Sequence, residues 1–245
     1  LFRSRAAAAL ERVEKITLRD AQSKAILHEL GLKNENITVT ADAAFGFTNT
    51  RPDAGDEILE NIGLANKKYF CVSIRGWKTL KEDFTAEMAV FCDYMSEKHG
   101  LTPLFIPMQP SNDAEISTQV MELARRQSFY LQESFTIDEI LSVIARAQFL
   151  VGMRLHSIIY GANTATPVIG LVYDPKVSAM FYELNQKYYM SLEEISANKL
   201  IDFSEEILSR RDEIAGQLRD VTLPMIESAR SNARIAYDII HRDLF

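Results

Sequence analysis

A chain of 245 residues, 47% hydrophobic and 25% charged, holds enough apolar material for one large core or two modest ones. Its formal net charge of -7 speaks against a nucleic-acid partner, which would need clustered Lys and Arg, but leaves room for a local basic pocket. No run of about 18 apolar residues occurs, so no membrane-spanning helix is predicted.

The chain opens on Leu1 and passes at once into an Ala-rich stretch, residues 4–14, with high helix propensity. It shows no leader pattern and reads as a piece of a longer protein. Ile16-Thr17-Leu18 is a predicted strand, and Asp20 opens a helix that runs to Leu30, with Gly31 as its stop. Ile37-Thr38-Val39-Thr40 is a second strand. Two strands and two helices cannot close a core alone, so this segment is expected to be the end of a larger α/β domain.

Gly, Pro, Asn and Asp then cluster over residues 46–56 without apolar periodicity, the mark of a linker. Beyond it come the strand run Tyr69-Phe70-Cys71-Val72-Ser73-Ile74, a helix over 83–99 and a strand over 101–106. A helix over 113–126, a short strand at 129–131 and a helix over 136–146 follow. The strand Gln148-Phe149-Leu150-Val151, a helix from about His156 to Asn163, and the strand 167–172 complete the alternation. Alternating strands and helices with uniformly apolar strands predict a parallel sheet covered on both faces. The stretch 204–242 is helical in spacing, and Pro224 is expected to kink or divide it. Cys71 and Cys92 form no C-x-x-C pair and read as buried thiols; the four scattered histidines predict no metal site.

In parallel sheets ligands bind at the carboxyl ends of the strands, which directs attention to the residues just after each strand. Val151-Gly152-Met153-Arg154-Leu155-His156-Ser157 leaves a strand and enters a helix, placing Arg154 in the turn and His156 in the first helical turn. Backbone N–H groups there favour an anion, and an arginine adds a forked donor for phosphate or carboxylate. Arg154 could equally pair with a carboxylate. One strand later, Tyr173-Asp174-Pro175-Lys176 again ends a strand on a turn and a cation, although Lys176 could be a solvated tip. Arg19 and Arg75 each follow strand-like runs. The turn after the 101–106 strand carries Gln109, and its Asp113 is expected to cap the next helix. His28, His99 and His241 read as surface or capping residues. Phosphate-loop, dinucleotide-loop, nucleophile-elbow and H-E-x-x-H motifs are all missing.

The segment 144–157, with Pro167-Val168-Ile169-Gly170-Leu171 and Tyr173-Asp174-Pro175-Lys176-Val177, resembles the polysaccharide pyruvyl transferases. Within them it looks most like bacterial cell-wall enzymes that modify a surface-layer-anchoring polymer. Ile16-Thr17-Leu18-Arg19-Asp20, Thr40-Ala41-Asp42-Ala43-Ala44-Phe45 and Val72-Ser73-Ile74-Arg75 match in the same order. The Gly- and Asn-rich turn with which members begin has no counterpart here.

The resemblance implies an α/β fold of two Rossmann-like domains in a glycosyltransferase-B-like arrangement, the first only partly present. Residues 1–46 would be the remnant of that first domain and 47–66 the linker and lead-in. Residues 67–223 would form the catalytic domain, and 224–245 a helix returning to the first. It further implies pyruvyl transfer from phosphoenolpyruvate to a saccharide acceptor, lipid-linked in many members, with no cofactor. The setting implied is cytoplasmic, with peripheral membrane contact compatible with a lipid-linked acceptor. His156 would be the acid/base and Arg154 would hold and stabilise the anion. Arg19, Arg75, Lys176, Gln109 and Asp174 would bind substrate. A sugar-nucleotide glycosyltransferase or epimerase, and a non-catalytic sugar-binding module, are the competing readings.

Overall fold

The computed structural model describes residues 2–132 and 135–241. Internal contacts divide the chain into two units, one running to Phe47 and resuming at Thr222, the other spanning Thr48–Val221.

In the first unit, α1 (Phe2–Leu10), β1 (Ile16–Leu18), α2 (Ala21–Glu29) and β2 (Ile37–Val39) follow in order. β1 and β2 pair in parallel, Ile16 beside Ile37. Asp20 caps α2 by accepting the Ser23 N–H at 2.6 Å, as its position before an amphipathic run predicts. Ile16, Leu32 and Ile37 form a small core, with Leu10, Leu18 and Leu27 packed against it. The residues from Thr222 onward join this unit, and Thr40 Oγ1 donates to Asn232 Oδ1 at 3.1 Å.

The second unit begins with α3 (Asp56–Asn61), then β3 (Tyr69–Ser73), α4 (Phe84–His99), β4 (Thr102–Phe105), α5 (Pro110–Leu123) and β5 (Phe129–Tyr130). It continues with α6 (Ile137–Arg146), β6 (Leu150–Gly152), α7 (Leu155–Asn163), β7 (Val168–Val172), α8 (Pro175–Glu183), β8 (Tyr189–Ser191) and α9 (Ala197–Ser209). The long α10 (Arg211–Ile240) starts here and ends in the first unit. The six strands are all parallel, in the order β5-β4-β3-β6-β7-β8. Renumbered within the sheet this is 3-2-1-4-5-6, the doubly wound Rossmann order, whose direction reverses between β3 and β6.

Every residue of β3 is buried, which explains its unbroken apolar run. Phe70 stacks on Phe149 at 4.9 Å and meets Phe91 edge-on at 5.5 Å, fastening β3 to α4 and to the lead-in of β6. Cys71 and Cys92 are both buried thiols, and burial pushes both pKa values up. On the far side of α4, Glu205 of α9 accepts from Tyr94 and pairs with His99 at 2.8 Å. Hydrogen bonds from His99, then Lys98 and Tyr94, hold the Glu205 carboxyl down to about 2. At α6 the sequence Thr136-Ile137-Asp138-Glu139 forms a reciprocal capping box.

Gly170 in β7 is required by close packing. A Cβ there would lie 2.1 Å from the ring of the fully buried Phe181. Overpacking of a rigid aromatic costs about 1–3 kcal/mol. Gly170→Ala should therefore lower unfolding stability by that amount in urea titrations, and a variant as stable as the parent would contradict the packing described.

Of the two outcomes expected at Pro224, division of the last helix is not found: α10 runs through it, and the break lies at Arg210 instead. Proline deprives only the carbonyl four residues back of its donor, and that residue, Asp220, is exposed to water. Asp113 is not an N-cap. Helix α5 starts at Pro110, with Gln109 as N-cap, so Asp113 lies inside the first turn. Pro fits the first helical position because its missing N–H has no intrahelical partner there.

Candidate functional site

Parallel pairing brings the carboxyl ends of all six strands to one edge of the sheet. Register then fixes which residues stand together: Ser73 of β3 pairs with Gly152 of β6, and Gly152 pairs with Gly170 of β7. Arg75 and Arg154 each lie two residues beyond the Ser73–Gly152 pair. They emerge where the strand order reverses, the place where open α/β sheets bind ligands. Met153 N–H donates to the Ser73 carbonyl at 2.8 Å and carries the pairing past the strand end. Gly152 is needed at this point, because a Cβ would come within 3.0 Å of Ile158 and Ser157 in α7.

Arg154 is the N-cap of α7 and leaves its guanidinium turned to Asp113 rather than free. Nε lies 3.0 Å from both carboxylate oxygens and Nη2 lies 2.5 Å from Oδ1. The Asp113 side chain is wholly buried and that of Arg154 is 14% exposed. Asp113 also accepts the N–H groups of Met108 and Gln109 at 3.0 and 2.9 Å. One carboxylate thus locks the loop after β4 to the turn after β6. Of the two roles open to Arg154 in the sequence, the structure shows the carboxylate pair, and Nη1 makes no hydrogen bond among the described residues.

His156 is exposed, in the first turn of α7, with its ring beside Tyr160 at 6.4 Å. The other three histidines have partners: His28 with the Leu32 carbonyl, His99 with Glu205, and His241 with the Tyr237 carbonyl. His156 has no hydrogen bond among the described residues, which leaves both ring nitrogens available.

Arg75 and Lys176 are brought together through aromatic rings. Arg75 Cζ stands 5.1 Å from the Trp77 ring and 5.7 Å from that of Tyr173. Lys176 Nζ stands 5.3 Å from the Tyr173 ring and 3.8 Å from Asp174 Oδ2. Asp174 is the N-cap of α8, accepting the Lys176 N–H at 3.0 Å, and Pro175 fills the first helical position. Gln109 is exposed at the N-cap of α5. Arg19 belongs to the other unit, where it pairs with Asp42 at 3.0 Å and Asp20 at 3.5 Å.

Sequence reasoning passed over Ser73 and Trp77 and gave Asp113 too small a part. Trp77 carried a usable signal: it is the single tryptophan of the chain and lies two residues from Arg75. Asp113 carried none, since its partner is 41 residues away.

The family model described as polysaccharide pyruvyl transferase matches residues 1–175, more than half of the chain. No curated protein matches it in sequence. Among solved structures it resembles MnaA of S. aureus, determined with UDP, at 11% identity and a TM-score of 0.70, over 94% of this chain and 61% of that one. HepE of Anabaena, determined with UDP-glucose, is 13% identical with a TM-score of 0.62, over 97% and 66%. WaaG, a glycosyltransferase of lipopolysaccharide biosynthesis, is 12% identical with a TM-score of 0.60, over 90% and 62%. The likeness extends to the fold, that of the glycosyltransferase-B enzymes, and the chain spans about three fifths of the length of these structures.

Proposed function

The chain belongs to the polysaccharide pyruvyl transferase family, and from that premise we propose that it transfers a pyruvyl group from phosphoenolpyruvate to a saccharide, forming a cyclic ketal and releasing phosphate. The observation that carries this reading is His156, with no hydrogen bond among the described residues, at the first turn of α7 on the sheet edge that also bears Arg75, Arg154 and Lys176. Phosphoenolpyruvate carries a phosphate and a carboxylate, and a cationic strand edge suits both.

In the proposed reaction C3 takes a proton and C2 becomes electrophilic. One sugar hydroxyl adds to C2, the C2–O bond to phosphate breaks, and a second hydroxyl of the same sugar closes the ketal. Of the two hydroxyl protons, one balances the new methyl group and the other leaves with phosphate. His156 moves these protons, an imidazole being able both to accept and to donate one. Arg75, Lys176 and Nη1 of Arg154 face the anion, with Gln109 and Asp174 at the rim. The reaction is redox-neutral and calls for no cofactor.

The proposed acceptor is an amino sugar of a lipid-linked cell-wall precursor, modified in the cytoplasm at the inner face of the membrane. No helix among the described residues is long and apolar enough to cross a membrane, and the contact proposed is peripheral. The test is phosphate release from phosphoenolpyruvate by the protein with a panel of lipid-linked and soluble amino-sugar acceptors. Acceptor-dependent release is expected. Release of nucleotide from a UDP-sugar, with none of phosphate, would move the assignment to a sugar-nucleotide transferase or epimerase.

A further inference from the structure

Arg75 and Arg154 leave the sheet at paired positions, yet their electrostatic settings are opposite. Asp113 offsets the charge of Arg154. Arg75 has no carboxylate partner among the described residues; two aromatic rings hold it instead. Trp77 and Tyr173 lie 4.6 Å apart, tilted by 60°, and each is within cation–π range of the guanidinium. An aromatic face attracts and orients an arginine without supplying a counter-charge or taking up its N–H donors in the guanidinium plane.

Two further groups nearby in the chain lack partners. The Nε of Arg75 is buried with no hydrogen bond, and so is the hydroxyl of Ser73, whose residue is wholly buried at the end of β3. Buried donors left unpaired cost stability, and their retention at a strand's carboxyl end calls for an occupant that satisfies them. The occupant must accept several hydrogen bonds and carry negative charge, which describes a phosphoryl group. A second cation, Lys176, reaches the same Tyr173 ring.

We infer that Trp77 and Tyr173 form an aromatic clamp that presents an uncompensated Arg75 to a phosphoryl group, with Ser73 donating its hydroxyl to the same anion. Arg75 is then the principal anion seat, and Arg154 serves chiefly to position the turn that carries His156. The inference rests on the proposed function only in taking that phosphoryl group to belong to phosphoenolpyruvate. Trp77 and Tyr173 are positioning residues, acting through Arg75.

The test is calorimetric titration of the protein with inorganic phosphate and, separately, with phosphoenolpyruvate, alongside steady-state kinetics. Trp77→Leu should raise both dissociation constants by about 10-fold, the loss appearing in KM for the donor, and Trp77→Phe should recover most of it. Arg75→Lys should not bind like the parent, because a point charge lacks the planar fork. Ser73→Ala guards against misfolding as the explanation. It removes an unsatisfied buried hydroxyl, so the unliganded protein should melt at the same or a higher temperature while phosphate binding weakens. Parent-like phosphate binding by both Trp77→Leu and Ser73→Ala, or no phosphate binding by the parent, would overturn the clamp. Weakened phosphate binding without pyruvyl transfer to any acceptor would keep the clamp and remove the proposed reaction. Pyruvyl transfer with unchanged KM in both variants would do the reverse.

Discussion

His156→Ala should lower acceptor-dependent phosphate release by about 10²–10⁴-fold, the range that positioned acid–base groups contribute. The loss should fall on kcat, with phosphoenolpyruvate affinity nearly intact, because the proposed site assigns the anion to arginine and lysine rather than to the imidazole. Folding should be little affected. His156 is exposed and makes no hydrogen bond among the described residues, so its removal leaves no buried group unpaired. Surface changes of that kind usually stay within about 0.5 kcal/mol. Single-turnover and steady-state measurements on a variant with an unchanged melting temperature would separate the two effects. Turnover close to that of the parent would rule out His156 as the proton-transfer group.

Asp113→Ala should be the most destabilising single change at the site, lowering stability by about 3–5 kcal/mol. It removes the counter-charge from an arginine whose side chain is 14% exposed and strips acceptors from the N–H groups of Met108 and Gln109. The magnitude comes from stranding a charge, not from the net worth of the pair. The double variant Asp113→Ala with Arg154→Met should consequently recover much of the loss, and a double-mutant cycle in urea would expose the coupling. A variant with Asp113→Ala alone within about 1 kcal/mol of the parent would show that Arg154 finds water or another partner. Activity should fall in the double variant even where stability returns, since the turns bearing Gln109 and His156 would no longer be locked together.

The site was legible wherever a single segment carries the information. Apolar runs of β-type residues bounded by turns marked β3, β4, β6 and β7, because burial on both faces leaves no alternation to misread. Arg154 and His156 could be placed in turn and helix from their own neighbourhood. The short β8 and the helices α3 and α8 went unmarked, as brief elements give periodicity too few residues to show. The start of α5 was misplaced by three residues for a local reason: Pro110 reads as a loop residue but also fits the first helical turn. That shift turned Asp113 from a cap into a buried ion-pair partner.

The sequence by itself determined the α/β class, the parallel sheet and the cations that follow the strands. Those properties follow from local propensity and pattern, which adjacent residues carry between them. Tertiary structure alone decided which of two arginines has a carboxylate partner among the described residues. Arg154 and Arg75 are each a lone arginine two residues beyond a strand. Folding brings a carboxylate from 41 residues away to the first and a tyrosine from beyond β7 to the second. The charge available to a ligand depends on those distant partners, so it is fixed only when the sheet has set its strand order.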